Sequence, residues 1–369
     1  MVATAGIPSG IIAISPDGKN AYVPSGKAIS QYRISPATGK LTPLPPRMVA
    51  GAGSPIGIKV APDGRYLYIT SGTQCLMPKG SKGSKCTASA KANTVSVFRI
   101  SPATGALSAK PVQTVATGQN PQMITIAPDG TSAYVTATTG NTIWQYSINP
   151  ATGRLTPKSP AMVAGGGGPH DLAVAPDGKS LYVVNVRGAT ITQYAISPAT
   201  GALSSAPVQT LPTGQGPQMI TIAPDGKSAY VTATGANTIW QYSINPATGK
   251  LTPMSPATVA TGKGTHDLAV APDGKNLYVI TVADDTIAQY AITPRSGALS
   301  ARPVSTAATV PAPEAIALSP DGKNAYVTSE GKGALSQFAL SPVTGKITPL
   351  SAATVTAPSH GSLGVAVTP

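Results

Sequence analysis

The tripeptide Pro-Asp-Gly recurs seven times in this chain, with its aspartate at 17, 63, 129, 177, 225, 273 and 321. After intervals of 46 and 66 residues, the last four intervals are all 48. A tyrosine stands five residues after each aspartate, at Tyr22, Tyr68, Tyr134, Tyr182, Tyr230, Tyr278 and Tyr326. A second aromatic ends a later run in every unit, at Tyr32, Phe98, Tyr146, Tyr194, Tyr242, Tyr290 and Phe338, before SPATG, NPATG or a close variant. Self-similarity at a fixed period means one supersecondary unit copied along the chain, each copy unable to bury its faces alone.

Each unit reads as four short strands: a run such as DLAVA, the PDG turn, a run such as SLYVV, a polar loop, TITQYAI, the SPATG turn, and a weaker run such as SSAPVQTLP. Proline presets φ in these turns and glycine accepts positive φ, so the punctuation has a physical cause. Radial stacking of such sheets buries their faces, which predicts an all-β, seven-bladed β-propeller with four antiparallel strands per blade. An open solenoid is disfavoured because neither end carries a distinct polar capping unit. Composition agrees: 41% of residues are hydrophobic, only 11% are charged, and 39 Gly and 37 Pro are spread evenly with no linker to divide the chain. The expected units are about 7–51, 52–117, 118–165, 166–213, 214–261, 262–309 and 310–357 in a single domain, 1–369. The segment 358–369 reads as a further copy of the first strand, and we expect it to close the ring, with one terminus completing a blade begun by the other.

Units 3 and 5 are nearly identical, and units 4 and 6 resemble each other through GPHDLAVAPDG and GTHDLAVAPDG. Duplication of a two-blade unit accounts for His170 and His266 occurring as a pair. Seven residues before each PDG aspartate stand Gly10, Ile56, Gln122, His170, Gln218, His266 and Glu314, all predicted to begin the strands around the central channel. Seven of the thirteen carboxylates belong to PDG turns, leaving Asp171, Asp267, Asp284, Asp285, Glu314 and Glu330. All six are predicted on the face opposite the turns, together with His170, His266 and Arg187, where groups suited to acid-base chemistry collect. Each also has a bland reading: the histidines as blade-to-blade hydrogen-bond partners, Asp171 and Asp267 as loop caps, Asp284 and Asp285 as a solvated turn, and Gln122 and Gln218 as channel lining.

Segments such as NTVSVFRISPATGALS (93–108) and QMITIAPDGKSAYVTATGANTIWQYSINPATGKLTP (218–253) resemble the YVTN-repeat and lactonase-like seven-bladed propellers over essentially the whole chain. That resemblance implies a lactonase of 6-phosphogluconolactonase type or a cycloisomerase acting on a small lactone or carboxylated substrate. It puts His170 where lactonase-type members carry a catalytic-site histidine. Arg187, in NVRGATITQY, and Glu314, in PEAIALSPDG, lie near the arginine and glutamate of that pattern but out of register. The catalytic candidates are His170, Arg187, Glu314 and His266; the substrate-binding candidates are Gln122, Gln218, Asp171, Asp267, Asp284, Asp285 and Glu330. The alternative is a non-catalytic extracellular propeller that binds a protein, glycan or anionic cell-envelope polymer.

No cofactor is expected. The two histidines belong to different units and no His-x-His or Cys-x-x-Cys spacing appears, so no metal site is assigned, with calcium held by carboxylates as a weak option. Cys75 and Cys86 lie inside the long insertion at 71–92, and a bridge there is worth about 2–3 kcal/mol in the chain-entropy model. Cysteines confined to one loop suggest an oxidising compartment. The expected location is extracellular or periplasmic, with any signal peptide already removed, since the start lacks basic and apolar leader regions and no run is long enough to span a membrane. The net charge of +13 lacks aromatics interleaved on one basic face, which argues against nucleic acid and for solubility or an anionic partner. A monomer is expected.

Overall fold

The computed structural model describes residues 11–50, 53–72, 93–330 and 334–356. These residues form 28 strands in seven four-stranded antiparallel sheets, with no α-helix among them. Blade 1 runs from β1 (Ala13–Ile14) to β4 (Leu41–Ala50), and blade 2 from β5 (Pro55–Val60) to β8 (Gln113–Ala116). Blade 3 spans β9 (Pro121–Ile126) to β12 (Leu155–Ala164), and blade 4 spans β13 (Pro169–Val174) to β16 (Gln209–Pro212). Blades 5, 6 and 7 run β17 (Pro217–Ile222) to β20 (Leu251–Ala260), β21 (Thr265–Val270) to β24 (Ser305–Ala308), and β25 (Pro313–Leu318) to β28 (Ile347–Thr356). The first strand of each blade is innermost and packs on its two neighbours, β1 touching both β5 and β25, so the ring is closed.

Six of the seven second strands, such as β14 (Ser180–Asn185), are buried along their whole length, because they are flanked by strands on both edges and by blades on both faces. That explains their unbroken apolar runs. Gly178 shows why the PDG turn ends in glycine: it sits at φ +73° and closes the hairpin by donating its N–H to Ala175. The core lies between blades, as where Tyr182, Val184 and Ile191 of blade 4 pack on Ile220, Val231 and Tyr242 of blade 5.

The repeated tyrosines hold neighbouring blades together. Tyr134 donates its hydroxyl to the carbonyl of Gly201 in the next blade's SPATG turn (2.7 Å), and all seven tyrosines repeat this bond. Tyr326 completes the circle by reaching Gly39 at 2.6 Å, so the seam between blades 7 and 1 uses the same bond as every other junction. Blades 1 and 7 each take all four described strands from their own stretch of chain, so this seam is made between sheets. Segment 358–369, Gly10 and both cysteines lie outside the described residues.

Outer strands alternate. In blades 1, 3, 5 and 7 they are ten residues long, and in blades 2, 4 and 6 they are four. A two-blade repeat cannot close evenly on an odd number, so two long-edged blades meet at the seam.

Candidate functional site

The site starts from a bulge. Pro169 pairs with Asn185 and Leu172 with Val183, so His170 and Asp171 together face the single residue Val184. Blade 6 repeats the arrangement, with His266 and Asp267 facing Ile280. A bulge of this kind frees two side chains from ladder alternation and re-aims them, here beyond their own sheet.

Both pairs reach the next blade. His170 Nδ1 lies 3.2 Å from the carbonyl of Gln218, and His266 Nδ1 lies 2.8 Å from that of Glu314. Asp171 accepts the N–H of Ile220 (2.8 Å), while Asp267 accepts those of Ile316 (2.9 Å) and Leu268 (2.7 Å). A carbonyl oxygen only accepts, so Nδ1 carries a proton in each ring. Burial pulls His170 down to about 4, against the help of the Gln218 carbonyl and with a further push from His266, so its ring is neutral at pH 7. The two carboxyls move the other way. Burial drives Asp171 up to about 7 in spite of its backbone donors, and burial likewise raises Asp267.

Lys59 joins this group from blade 2. It is the exposed residue of an otherwise buried inner strand, and the charge of Asp171 on blade 4 reaches it, which puts it on the channel side and not on the outer surface. Burial lowers its ammonium, and the charge of Asp171 opposes that effect. Glu314 and Glu330 complete the set on blade 7. Glu330 is raised first by burial and then by the charge of Glu314, with His266 working against both. Charge influences run pairwise through these residues: Lys59 with Asp171, Asp171 with Asp267, His170 with His266, Asp267 with His266 and Glu314, and Glu330 with Glu314 and His266.

Other expected site residues take structural places. Arg187 leans over Gly168 and donates to the Thr138 carbonyl (2.7 Å) and Asn141 Oδ1 (2.8 Å), tying its loop to that of blade 3. Asp284 accepts the N–H of Lys263 (2.7 Å). Asp285, at φ +52°, accepts from Ala312 of the next blade (2.8 Å), just as Asn141 and Asn237 cap Gly168 and Gly264. Gln122 and Gln218 contribute their carbonyls, which accept from Thr70 (2.6 Å) and His170. Among the described residues, no group of three or more His, Cys, Asp or Glu is disposed to hold a metal ion.

Two features escaped the sequence reading. Lys59 is visible in hindsight, since the equivalent positions hold Ala13, Thr125, Ala173, Thr221, Ala269 and Ala317. The other is an exchange opposite the bulge: Thr70, Thr136 and Thr232 stand where blades 4 and 6 have Val184 and Ile280. Thr136 Oγ1 donates to the His170 carbonyl (2.6 Å) and Thr232 Oγ1 to that of His266 (2.6 Å), which is the bond that His170 and His266 make onward to the following blade.

The lactonase, 7-bladed β-propeller family model matches residues 12–168 and 164–363, and the chain belongs to that family. Among solved structures, it is similar to a putative 6-phosphogluconolactonase from Bacteroides uniformis at 20% identity and a TM-score of 0.74, covering 90% of this chain and 93% of that one. A periplasmic gluconolactonase from Pseudomonas aeruginosa matches at 22% identity and a TM-score of 0.73, with 90% and 93% covered. Hydrazine synthase from Kuenenia stuttgartiensis matches at 19% identity and a TM-score of 0.67, covering 92% of this chain and 97% of that one. Activities this different on one scaffold mean that structural likeness at such identities shows the fold alone. None of the curated proteins matches the chain.

Proposed function

We propose that this protein hydrolyses a small lactone at the mouth of its central channel, with His170 as the base. The observation that carries this reading is the placement of His170: it stands on the bulge at the entry of its inner strand, its Nδ1 is engaged by the Gln218 carbonyl, and its Nε2 has no protein partner among the described residues. Burial, which pulls its pKa down to about 4, leaves that nitrogen able to accept a proton at pH 7. In the proposed reaction Nε2 takes a proton from water as the water oxygen bonds to the lactone carbonyl carbon. Lys59 supplies positive potential for the oxyanion that forms. The ring C–O bond then breaks, the leaving oxygen takes the proton back from Nε2, and a hydroxy acid departs. His266 with Glu314 and Glu330 lines the opposite side of the channel and selects the substrate's hydroxyl groups. Family membership and the similarity to lactonases support the substrate class.

The same reading places the protein outside the cytoplasm as a monomer, with Cys75 and Cys86 bridged. Support for the location comes from the confinement of both cysteines to one insertion and from the similarity to a periplasmic gluconolactonase.

The test is a panel of aldonolactones followed by pH-stat, on wild type, His170→Gln and Lys59→Met. Ring opening should fall about 100-fold or more in His170→Gln. Full activity of that variant on every lactone opened by wild type overturns the assignment of the base. A second reading has its own observation: each bulge histidine makes the blade-to-blade hydrogen bond that a threonine makes elsewhere. If wild type opens none of the lactones, the pairs serve structure, and the protein is a non-catalytic propeller that binds a protein, glycan or anionic polymer.

A further inference from the structure

On the opposite face, where the PDG and SPATG turns lie, adjacent blades leave clefts between them. The cleft between blades 3 and 4, about 650 Å³, mixes Asp129 and Asp177 with Lys158 and Lys179. That between blades 1 and 2, about 560 Å³, mixes Asp17 and Asp63 with Lys19, Arg33 and Arg65. The cleft between blades 2 and 3 differs in chemistry. It measures about 410 Å³ and is lined by Arg65, Arg99 and Arg154 with no carboxylate, over a floor of Tyr66, Pro102 and Val112.

The repeat shows that this chemistry is not needed for folding. At the position of Tyr66 the other blades carry Asn20, Ser132, Ser180, Ser228, Asn276 and Asn324, and at that of Arg99 five of six carry Ser or Ala. Six junctions are therefore built on the same backbone without the three-arginine combination. Two of the arginines are held in position. Arg65 is gripped by Asp63 (2.8 Å) and the Pro150 carbonyl (2.6 Å), and its guanidinium lies 5.9 Å from the Tyr66 ring centre. Arg154 donates to the Val112 carbonyl (3.2 Å). Arg99 is exposed, and its guanidinium has no protein partner among the described residues. Guanidinium forks match planar oxyanions in two-point hydrogen bonds, and an aromatic and aliphatic floor suits an apolar body beneath them.

We propose that this cleft binds a small organic oxyanion, a carboxylate or phosphate carried on a ring or short apolar body, independently of the chemistry at the channel. Benzoate and inorganic phosphate are the probes, with benzamide as the uncharged match to benzoate, read by isothermal titration calorimetry at low salt. Benzoate should bind and benzamide should not, and Arg99→Ala with Arg154→Ala should weaken benzoate about tenfold or more. Lys227→Ala, at the Arg65 position of blade 5, should leave the affinity unchanged. Unaltered thermal unfolding of the arginine variant shows that its fold is intact. Equal binding of benzamide, unaltered affinity in the double arginine variant, or an equal loss in Lys227→Ala each overturns the site. Lactone turnover plays no part in this test, so its outcome is separate from that of the proposed hydrolysis.

Discussion

Blades 3 and 5 solve the same structural problem as blades 4 and 6 with different residues. In blades 3 and 5 a threonine opposite the bulge, Thr136 or Thr232, donates to the neighbouring inner strand and accepts an N–H from its own. Blades 4 and 6 place Val184 or Ile280 there, and a histidine and an aspartate on the bulge make the links instead. The first solution is compact and chemically inert. The second brings imidazole and carboxyl groups to the channel, with Asp171 and Asp267 only 8% and 5% exposed. A structural role and a chemical role therefore coexist in the same residues, and the way to separate them is to restore the first without the second.

The largest effect is expected from His170→Ala combined with Val184→Thr. Stability in urea should recover relative to His170→Ala alone, because the threonine re-forms the bond to Gln218, while ring opening stays down by about 100-fold or more. Activity returning with stability breaks the distinction. Next comes Asp267→Ala, which leaves the N–H groups of Ile316 and Leu268 without their acceptor and should cost about 1–3 kcal/mol by urea denaturation. Asp267→Asn, which keeps one acceptor oxygen, should lose less. An equal loss would mean that charge, not hydrogen bonding, sets the contribution.

The pH dependence should split the pair. His170 falls from an ordinary 6.5 to about 4 in the folded protein, so the unfolded chain takes up its proton first and stability is lost as pH drops from 6.5 to 4. Asp171 rises from 3.8 to about 7, so its contribution is whole below 3.8 and is lost as pH climbs through 7. The two slopes oppose each other between pH 4 and 6.5 in wild type. His170→Gln should expose a decline in stability with rising pH, and Asp171→Asn a rise, each on the order of 1 kcal/mol per pH unit or less. Parallel curves for the two variants would contradict the assignment. The smallest effect concerns the seam. Tyr326→Phe and Tyr230→Phe should each cost roughly 1 kcal/mol, since both remove one buried hydroxyl bond between blades. A markedly smaller loss at Tyr326 would show that blades 7 and 1 are joined differently in solution.

Much of this is legible in the sequence. Seven PDG turns with tyrosine at a constant offset imply the ring and its blades, and the departures at His170 and His266 mark the place to look. The Thr136, Val184, Thr232, Ile280 exchange was also present in the sequence, but its meaning depends on knowing that these residues face the bulge. Arg187 illustrates the reverse. It falls near the expected arginine in sequence, yet its loop turns it toward Thr138 and Asn141, while Lys59, from a blade two places away, supplies a positive charge that acts on Asp171 alongside the opposing charge of Asp267.

By itself the sequence determined the repeat, the turns, the strand pattern and the number of blades, because these depend on local φ preferences and short-range hydrophobic periodicity. Only the tertiary structure decided which side chains meet. His170 finds its carbonyl 48 residues away and Asp171 its N–H 49 residues away, because closing the ring brings successive inner strands side by side. Those pairings exist only in the closed ring. Its packing also withdraws water from His170 and Asp171, which moves one toward about 4 and the other toward about 7.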